Sequence, residues 1–187
     1  MKKLAFVGTH SSGKSTLIDA YLAEETGTSV EVIRGIARAV VKRGFPLAKG
    51  STVDSYTNYI RDQLSQERQL ADSKADLLFS DRTVLDAASY ARVNSGLPRP
   101  FVPDYFVEML LEVALLEARR YDLFVYCSAE FPMVPDPFRP EDEPYRQKVG
   151  DQVRKFLEEH GLPHINATGD VPTRLEILKD AIGGLNG

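Results

Sequence analysis

The chain has 187 residues, 23 Lys plus Arg against 27 Asp plus Glu, a formal net charge of −4, and 43 % apolar residues. That length and balance describe one globular domain that buries a core without staples, and they argue against a basic nucleic-acid coat. The single cysteine, Cys127, rules out an internal disulfide, and with His10, His160 and His164 it makes no zinc cluster.

The elements follow in chain order. Residues 3–8 (KLAFVG) form a short apolar run bounded by Gly, which predicts a buried parallel strand. After Lys2-Lys3 only five residues pass before polar Thr9, too few for a signal segment, and no run nears the ~20 apolar residues of a spanning helix. The expected location is cytoplasmic, without membrane contact. Residues 14–25 predict a helix with Leu17, Ile18, Tyr21 and Leu22 on one face. SVEVIRG (29–35) predicts a second strand, followed by a helix at 35–43 that Gly44 and Pro46 end.

Asp54 is expected to cap a long helix to about residue 74, with Tyr56, Tyr59, Ile60, Leu64 and Leu70 inward. DLLFSDR (76–82) predicts the third strand and residues 83–93 a further helix. After a Pro-rich loop at 94–103, Asp104 is expected to cap an apolar helix ending at Arg119-Arg120. YDLFVYCSA (121–129) predicts the fourth strand. The proline-rich stretch 131–144 reads as a loop, 145–160 as a helix, HINAT (164–168) as the fifth strand and 172–182 as the last helix. Strands alternating with helices predict one three-layer α/β domain over residues 1–187, built on a parallel sheet.

One motif dominates. Gly8, Thr9, His10, Ser11, Ser12, Gly13, Lys14, Ser15 and Thr16 match G-x-x-x-x-G-K-[ST] between a strand and a helix. The two glycines permit the torsions that turn successive N–H groups inward, and the next helix aims its positive end at the same place. In that setting Lys14 is expected to reach the β- and γ-phosphates of ATP, and the Ser15 hydroxyl to bind Mg²⁺. Asp81, at the end of LLFSD, is expected beside this loop as a second Mg²⁺ ligand; its competing role is to cap the next helix. Arg82 and Asp86 follow within a turn, and either face the cleft or pair with each other.

Other residues are candidates for substrate. Arg139 and Arg146 lie in a lid-like stretch at about 131–146, where arginines close over a γ-phosphate or pair with Glu141, Asp142 and Glu143. Arg34, Arg38 and Lys42 share a helix face, within a segment at 31–49 holding five basic residues and one acidic. That stripe suits an anionic small acceptor or, as an alternative, DNA; it also fits a solvated helix face. Tyr59, Gln63 and Glu67 either read a base edge or belong to the core. The functions compatible with these features are a kinase of small molecules, a kinase of a hydroxyl within DNA, and a nucleotide-sensing regulator or ATPase.

GTHSSGKST, DRTVLDAASY, the DPFRPEDEPYR loop and LEEHGLPHINATGD together resemble the small P-loop kinases, in particular the group around the nicotinamide riboside kinase domain and its phage and bacterial nucleoside- or nucleotide-kinase-like relatives. The resemblance implies a P-loop NTPase fold with a five-stranded parallel sheet of nucleoside monophosphate kinase type, ATP as donor and Mg²⁺. It implies catalytic roles for Lys14, Asp81 and Arg139, and places Thr168 to Asp170 near the adenine. One departure stands out. Where relatives carry Glu in a Glu-x-Ala-Arg pattern, this chain has Gly35-Ile36-Ala37-Arg38, with Asp81, Asp86 or Glu31 left to supply the acidic group and Arg34 beside the gap.

The net charge also divides along the chain. Residues 1–50 hold 8 basic and 4 acidic residues, and residues 51–187 hold 15 and 23. The positive surplus therefore falls where the phosphate loop lies.

Overall fold

A computed structural model describes residues 1–24, 27–99, 102–133 and 142–185. Its five strands are β1 (Lys2–Val7), β2 (Val30–Ile33), β3 (Leu77–Asp81), β4 (Leu123–Cys127) and β5 (His164–Ala167). All pair in parallel, in the order β2-β3-β1-β4-β5. Its seven helices are α1 (Lys14–Leu22), α2 (Ile36–Lys42), α3 (Val53–Gln69), α4 (Val84–Ser95), α5 (Asp104–Ala118), α6 (Glu143–Glu159) and α7 (Val171–Leu185). The predicted α/β class, the parallel sheet and all five strands are present.

Alternation along β1 builds the layers, because successive strand side chains point to opposite faces. Leu4 and Phe6 pack with Leu17, Ile18 and Tyr21 of α1 and Leu178 and Ile182 of α7. Ala5 and Val7 face the other way, into the core formed with α2 to α6. The central strands β1, β3 and β4 are apolar on both faces for this reason.

Three sequence expectations change in detail. The cap of α3 is Thr52, not Asp54: its hydroxyl accepts from the Ser55 N–H while the Ser55 hydroxyl accepts from the Thr52 N–H. Asp54 sits inside the first turn, where its charge still favours the helix dipole. That helix ends at Gln69, short of residue 74. Asp104 likewise opens α5 after Pro103 without a side-chain cap. Finally, α6 already starts at Glu143, with the Asp142 carboxylate accepting from the Tyr145 N–H. Arg146 is therefore on a helix and not in a loop. Residues 134–141, including Arg139, lie outside the described residues.

Helix α5 buries Phe106, Val107, Leu110, Ala114 and Ala118, while Tyr105, Met109 and Leu116 on its other side are exposed. Among the described residues no helix is long and apolar enough to cross a membrane.

The topology sets the site. The order in which strands are added reverses at β1, whose neighbours are β3 on one side and β4 on the other. Ligands in open parallel sheets bind outside the carboxyl ends of the strands at such a switch point. Phe6 is in register with Asp81, and Val7 with Tyr126, so residues 8–13 leave the sheet between the ends of β3 and β4.

Candidate functional site: a phosphate loop between two clefts

Gly8 must be glycine on two counts. Its φ is +131°, and a Cβ there would sit 2.5 Å from the Cys127 carbonyl oxygen. The close approach lets the loop cross the end of β4. Beyond it Ser11, at φ +53°, and Gly13, at φ +83°, are left-handed, giving the alternation that makes an anion-binding concavity. The loop ends at the N-terminus of α1, whose first N–H groups have no intrahelical acceptor.

Lys14 is folded into this concavity. Its ammonium donates to the Gly8 carbonyl at 3.1 Å, to the Thr9 carbonyl, and to the Ser12 hydroxyl at 2.8 Å. Burial, and then the neighbouring positive charge of Arg82, push its pKa down to about 7. A buried ammonium held this way gains strongly from a polyanion that replaces the lost water.

The Ser15 hydroxyl donates to Asp81 Oδ2 at 2.6 Å. The two oxygens come from the start of α1 and the end of β3, brought together by the β1–β3 register. Asp81 is thus beside the loop as expected, and it does not cap α4. Thr83 does that, in a reciprocal box: its hydroxyl accepts from the Leu85 N–H, and Asp86 Oδ2 accepts from the Thr83 N–H at 2.9 Å.

Asp86 and Arg82 form a buried unit with the loop. Asp86 Oδ1 accepts from the Gly8 N–H at 3.1 Å and lies 3.3 Å from an Arg82 nitrogen. Arg82 also donates to the Gly8 carbonyl at 3.0 Å. Burial pushes the Asp86 carboxyl up against the pull of Arg82 and Lys14. At 1 % exposure with both oxygens occupied, Asp86 is a strut under the loop. Arg82 itself has a left-handed backbone, φ +82°, stabilised where its carbonyl accepts from the Ser80 hydroxyl and its N–H reaches Phe6.

Two clefts meet here. One is lined by residues 11–16, Asp19, residues 34–38, Tyr59, Asp81 and Arg82. The second lies against Leu47, Tyr56, Tyr59, Arg82, Asp86 and Tyr90. Ala37, Tyr59 and Arg82 are common to both, and of these Tyr59 and Arg82 carry polar groups. The Tyr59 hydroxyl is buried without a hydrogen-bond partner in the structure, and burial pushes its pKa up.

The sequence candidates divide accordingly. Arg34 and Arg38 line the first cleft, with Arg34 paired to Asp19 at 2.7 Å. The rest of the basic segment is partly neutralised, since Arg43 pairs with Asp62 and Lys49 with Asp142. Gly35 has φ +82° as the residue preceding α2, so an acidic side chain at this position would be strained in this backbone. Glu31 accepts from Ser73 on β2 and is not a cleft residue.

Gln63 is displaced from the reading of a base edge. It is fully buried, and its amide donates to Glu67 and to the Ser80 hydroxyl, while Tyr121 donates to the same Glu67 oxygen. This network supports the end of β3 from below. Arg146 is displaced from the lid: 1 % exposed, it bonds the His10 and Ser11 carbonyls from α6.

Sequence reasoning missed three contributors. Tyr90 holds His10, accepting from its N–H at 3.2 Å and meeting its Nδ1 at 3.0 Å. Arg174, 1 % exposed on α7, donates to the Ser12, Gly169 and Ser128 carbonyls. Glu130 pairs with Arg174 and accepts from the Gly169 N–H at 2.7 Å. Arg174 left a trace in the sequence, because it stands four residues before Leu178 and eight before Ile182, on the buried stripe of its helix.

Comparison with known proteins agrees with this geometry. Residues 3–174 match a family model, AAA_28, described as an AAA domain. No curated protein matches the sequence. Deoxyadenosine kinase from M. mycoides, solved with dCMP and a flexible dCDP, is similar with a TM-score of 0.66 and 16 % identity over 97 % of this chain and 99 % of that one. Thymidylate kinase from Candida albicans gives 0.69 and 14 % over 99 % and 92 %. NadR in complex with NR gives 0.69 and 19 % over 97 % of this chain but 48 % of its own, so this chain spans about half of NadR. The fold is therefore the one these kinases share, in line with the resemblance read from the motifs. By the match over residues 3–174, the chain belongs to the AAA_28 family of AAA domains.

Proposed function

We propose that the protein is an ATP- and Mg²⁺-dependent kinase that transfers the γ-phosphoryl group to a nucleoside, nucleotide or related small acceptor. The observation that carries this reading is the pair of clefts sharing Tyr59 and Arg82, one at the phosphate loop and one walled by tyrosines. An ATPase needs only the first. A second, aromatic-lined cleft at the γ-phosphate end suits a flat acceptor whose hydroxyl is held in line for transfer.

Ser15 and Asp81 fit Mg²⁺: both offer hard oxygens, and they are already adjacent at 2.6 Å. Two protein oxygens suit an ion that completes its shell with waters and substrate phosphates. When bound, the ion neutralises charge on the β- and γ-phosphates. The chain's own groups do the rest. The loop N–H groups bind the phosphates, Lys14 adds a charge in a dry site, and Tyr59 offers its hydroxyl to the acceptor. Arg34 and Arg38 lie where an acceptor's own phosphate would find them.

Two substitutions separate these roles. Asp81→Asn is expected to raise the Mg²⁺ concentration for half-maximal rate about tenfold or more; an unchanged Mg²⁺ titration would remove Asp81 from the metal. Tyr59→Phe is expected to raise the acceptor KM up to about tenfold, the worth of one hydrogen bond, with the ATP KM unmoved. An equal rise in both would place Tyr59 on the donor. The function itself is tested by ADP formation with and without acceptors: stimulation by a nucleoside or nucleotide supports a kinase, whereas hydrolysis indifferent to every acceptor supports an ATPase.

A further inference from the structure

The carbonyl groups of the phosphate loop can be accounted for one by one. Gly8 accepts from Lys14 and Arg82, and Thr9 from Lys14 and the Ser12 hydroxyl. His10 accepts from Arg146 Nε at 3.2 Å, Ser11 from Arg146 Nη2 at 2.9 Å, and Ser12 from Arg174 Nη1 at 2.7 Å. Gly13 accepts from the Leu17 N–H inside α1. The three middle carbonyls, at the tip of the loop, are thus held by side chains from outside the motif.

Those side chains are two of the largest fully buried groups in the protein. Arg146 comes from the first turn of α6 and Arg174 from the first turn of α7. Among the described residues Arg146 pairs with the Glu143 carboxylate and Arg174 with Glu130, and their other donors go to main-chain oxygens. A buried guanidinium is costly unless its planar fork is matched; Arg146 is matched to the consecutive His10 and Ser11 oxygens, and Arg174 to the Ser12, Ser128 and Gly169 oxygens. The Arg174 guanidinium also lies over the Phe131 ring at 4.5 Å, and that ring packs against Gly13. The strained Ser11, φ +53°, lies between the two carbonyls that Arg146 holds, those of His10 and of Ser11 itself.

We propose that Arg146 and Arg174 are positioning residues of the phosphate site: they hold the His10, Ser11 and Ser12 carbonyls outward, and so fix the facing N–H groups inward on the phosphates. Within one trans peptide plane the carbonyl of one residue and the N–H of the next are rigidly linked and point in opposite directions, so fastening one sets the other. The clamp also adds two buried positive charges to those of Lys14 and Arg82. The inference rests on the reading of this loop as a nucleotide-phosphate site. It concerns neither the acceptor nor the metal.

The test uses the full chain at 10 °C, with MgATP and inorganic tripolyphosphate as separate probes in calorimetric titrations. The second probe has no adenine, so it reports on the loop alone. Arg146→Met and Arg174→Met are each expected to weaken both probes ~10- to 100-fold, as misplacement of a binding group does, and to leave the acceptor KM unchanged. Arg146→Lys and Arg174→Lys, which keep a charge and one donor direction, are expected to recover part of the loss. A purely structural role would lower the melting temperature without moving either affinity at 10 °C. If the Met variants do not fold, the Lys variants carry the comparison. Variants that bind both probes within threefold of wild type overturn the clamp alone. Wild-type protein that binds neither probe overturns the phosphate-site reading and the clamp with it.

Discussion

Replacing Lys14 with Met is expected to lower phosphotransfer by at least ~10²- to 10³-fold, the usual cost of removing one preorganised charge-stabilising donor. The same change is expected to make the folded protein more stable below pH 7. The ammonium is buried among loop carbonyls, and its pKa is pushed down to about 7 by burial and by Arg82. In the unfolded chain it titrates near the ordinary value of 10.5. Between those values the unfolded chain binds more protons, so wild-type stability rises with pH across that window, and the penalty of the buried charge is fully present below pH 7.

Met removes the penalty at little cost in hydrogen bonding. The Gly8 carbonyl keeps Arg82, and the Thr9 carbonyl keeps the Ser12 hydroxyl. Melting curves of both proteins at pH 6 and pH 9 check this: the advantage of Lys14→Met should be largest at pH 6 and shrink by pH 9. A stability difference that does not depend on pH would mean that Lys14 is not charged and strained in the folded protein. Loss of function with gain of stability is the mark of a group placed for ligand and not for folding.

Asp86→Ala should have the largest effect on stability. It removes the acceptor of the Gly8 and Thr83 N–H groups and leaves the Arg82 guanidinium, itself buried, without its carboxylate. Breaking a buried pair from one side costs ~3–5 kcal/mol. For a domain of this size that lowers the melting temperature on the order of 10 °C. Thermal unfolding checks it. Asp86→Asn keeps one acceptor oxygen and should fall between the two. If Asp86→Ala melts within a degree or two of wild type, Asp86 is not the strut that joins α4 to the loop.

Much of this architecture is legible in the chain because it is local. Apolar runs such as KLAFVG and LLFSD, and the Gly44 and Pro46 that end α2, report on strands and turns whose causes lie within a few residues. The loop motif is equally local, since Gly8, Gly13 and Lys14 are required by the backbone path they share. What was not legible depends on distant pairs. The β2-β3-β1-β4-β5 order is a property of the whole chain. The Thr52 cap of α3 is an exception: its reciprocal pair with Ser55 is local, and Asp54 is the more obvious capping residue type.

The site shows the same division. Lys14, Ser15 and Asp81 stand where the motif puts them. Gln63 has the right residue type for reading a base, yet its four-residue spacing to Glu67 and its position over Ser80 place it in a buried network. Arg146 has the charge of a lid residue, but α6 begins three residues before it and turns it under the loop. Arg174 occupies the apolar stripe of α7 and is turned onto the loop carbonyls. In each case the residue type was informative, and the direction it faces came from packing.

The central claim is that a phosphoryl group passes between the two clefts that meet at Tyr59 and Arg82. Incubation with γ-labelled ATP and Mg²⁺ tests it most directly, with nicotinamide riboside, deoxynucleosides, deoxynucleoside monophosphates and duplex DNA as separate acceptors. The account predicts label in a small-molecule product, dependent on Mg²⁺ and lost in Lys14→Met. Label found only in inorganic phosphate, at a rate that no acceptor changes, would contradict it.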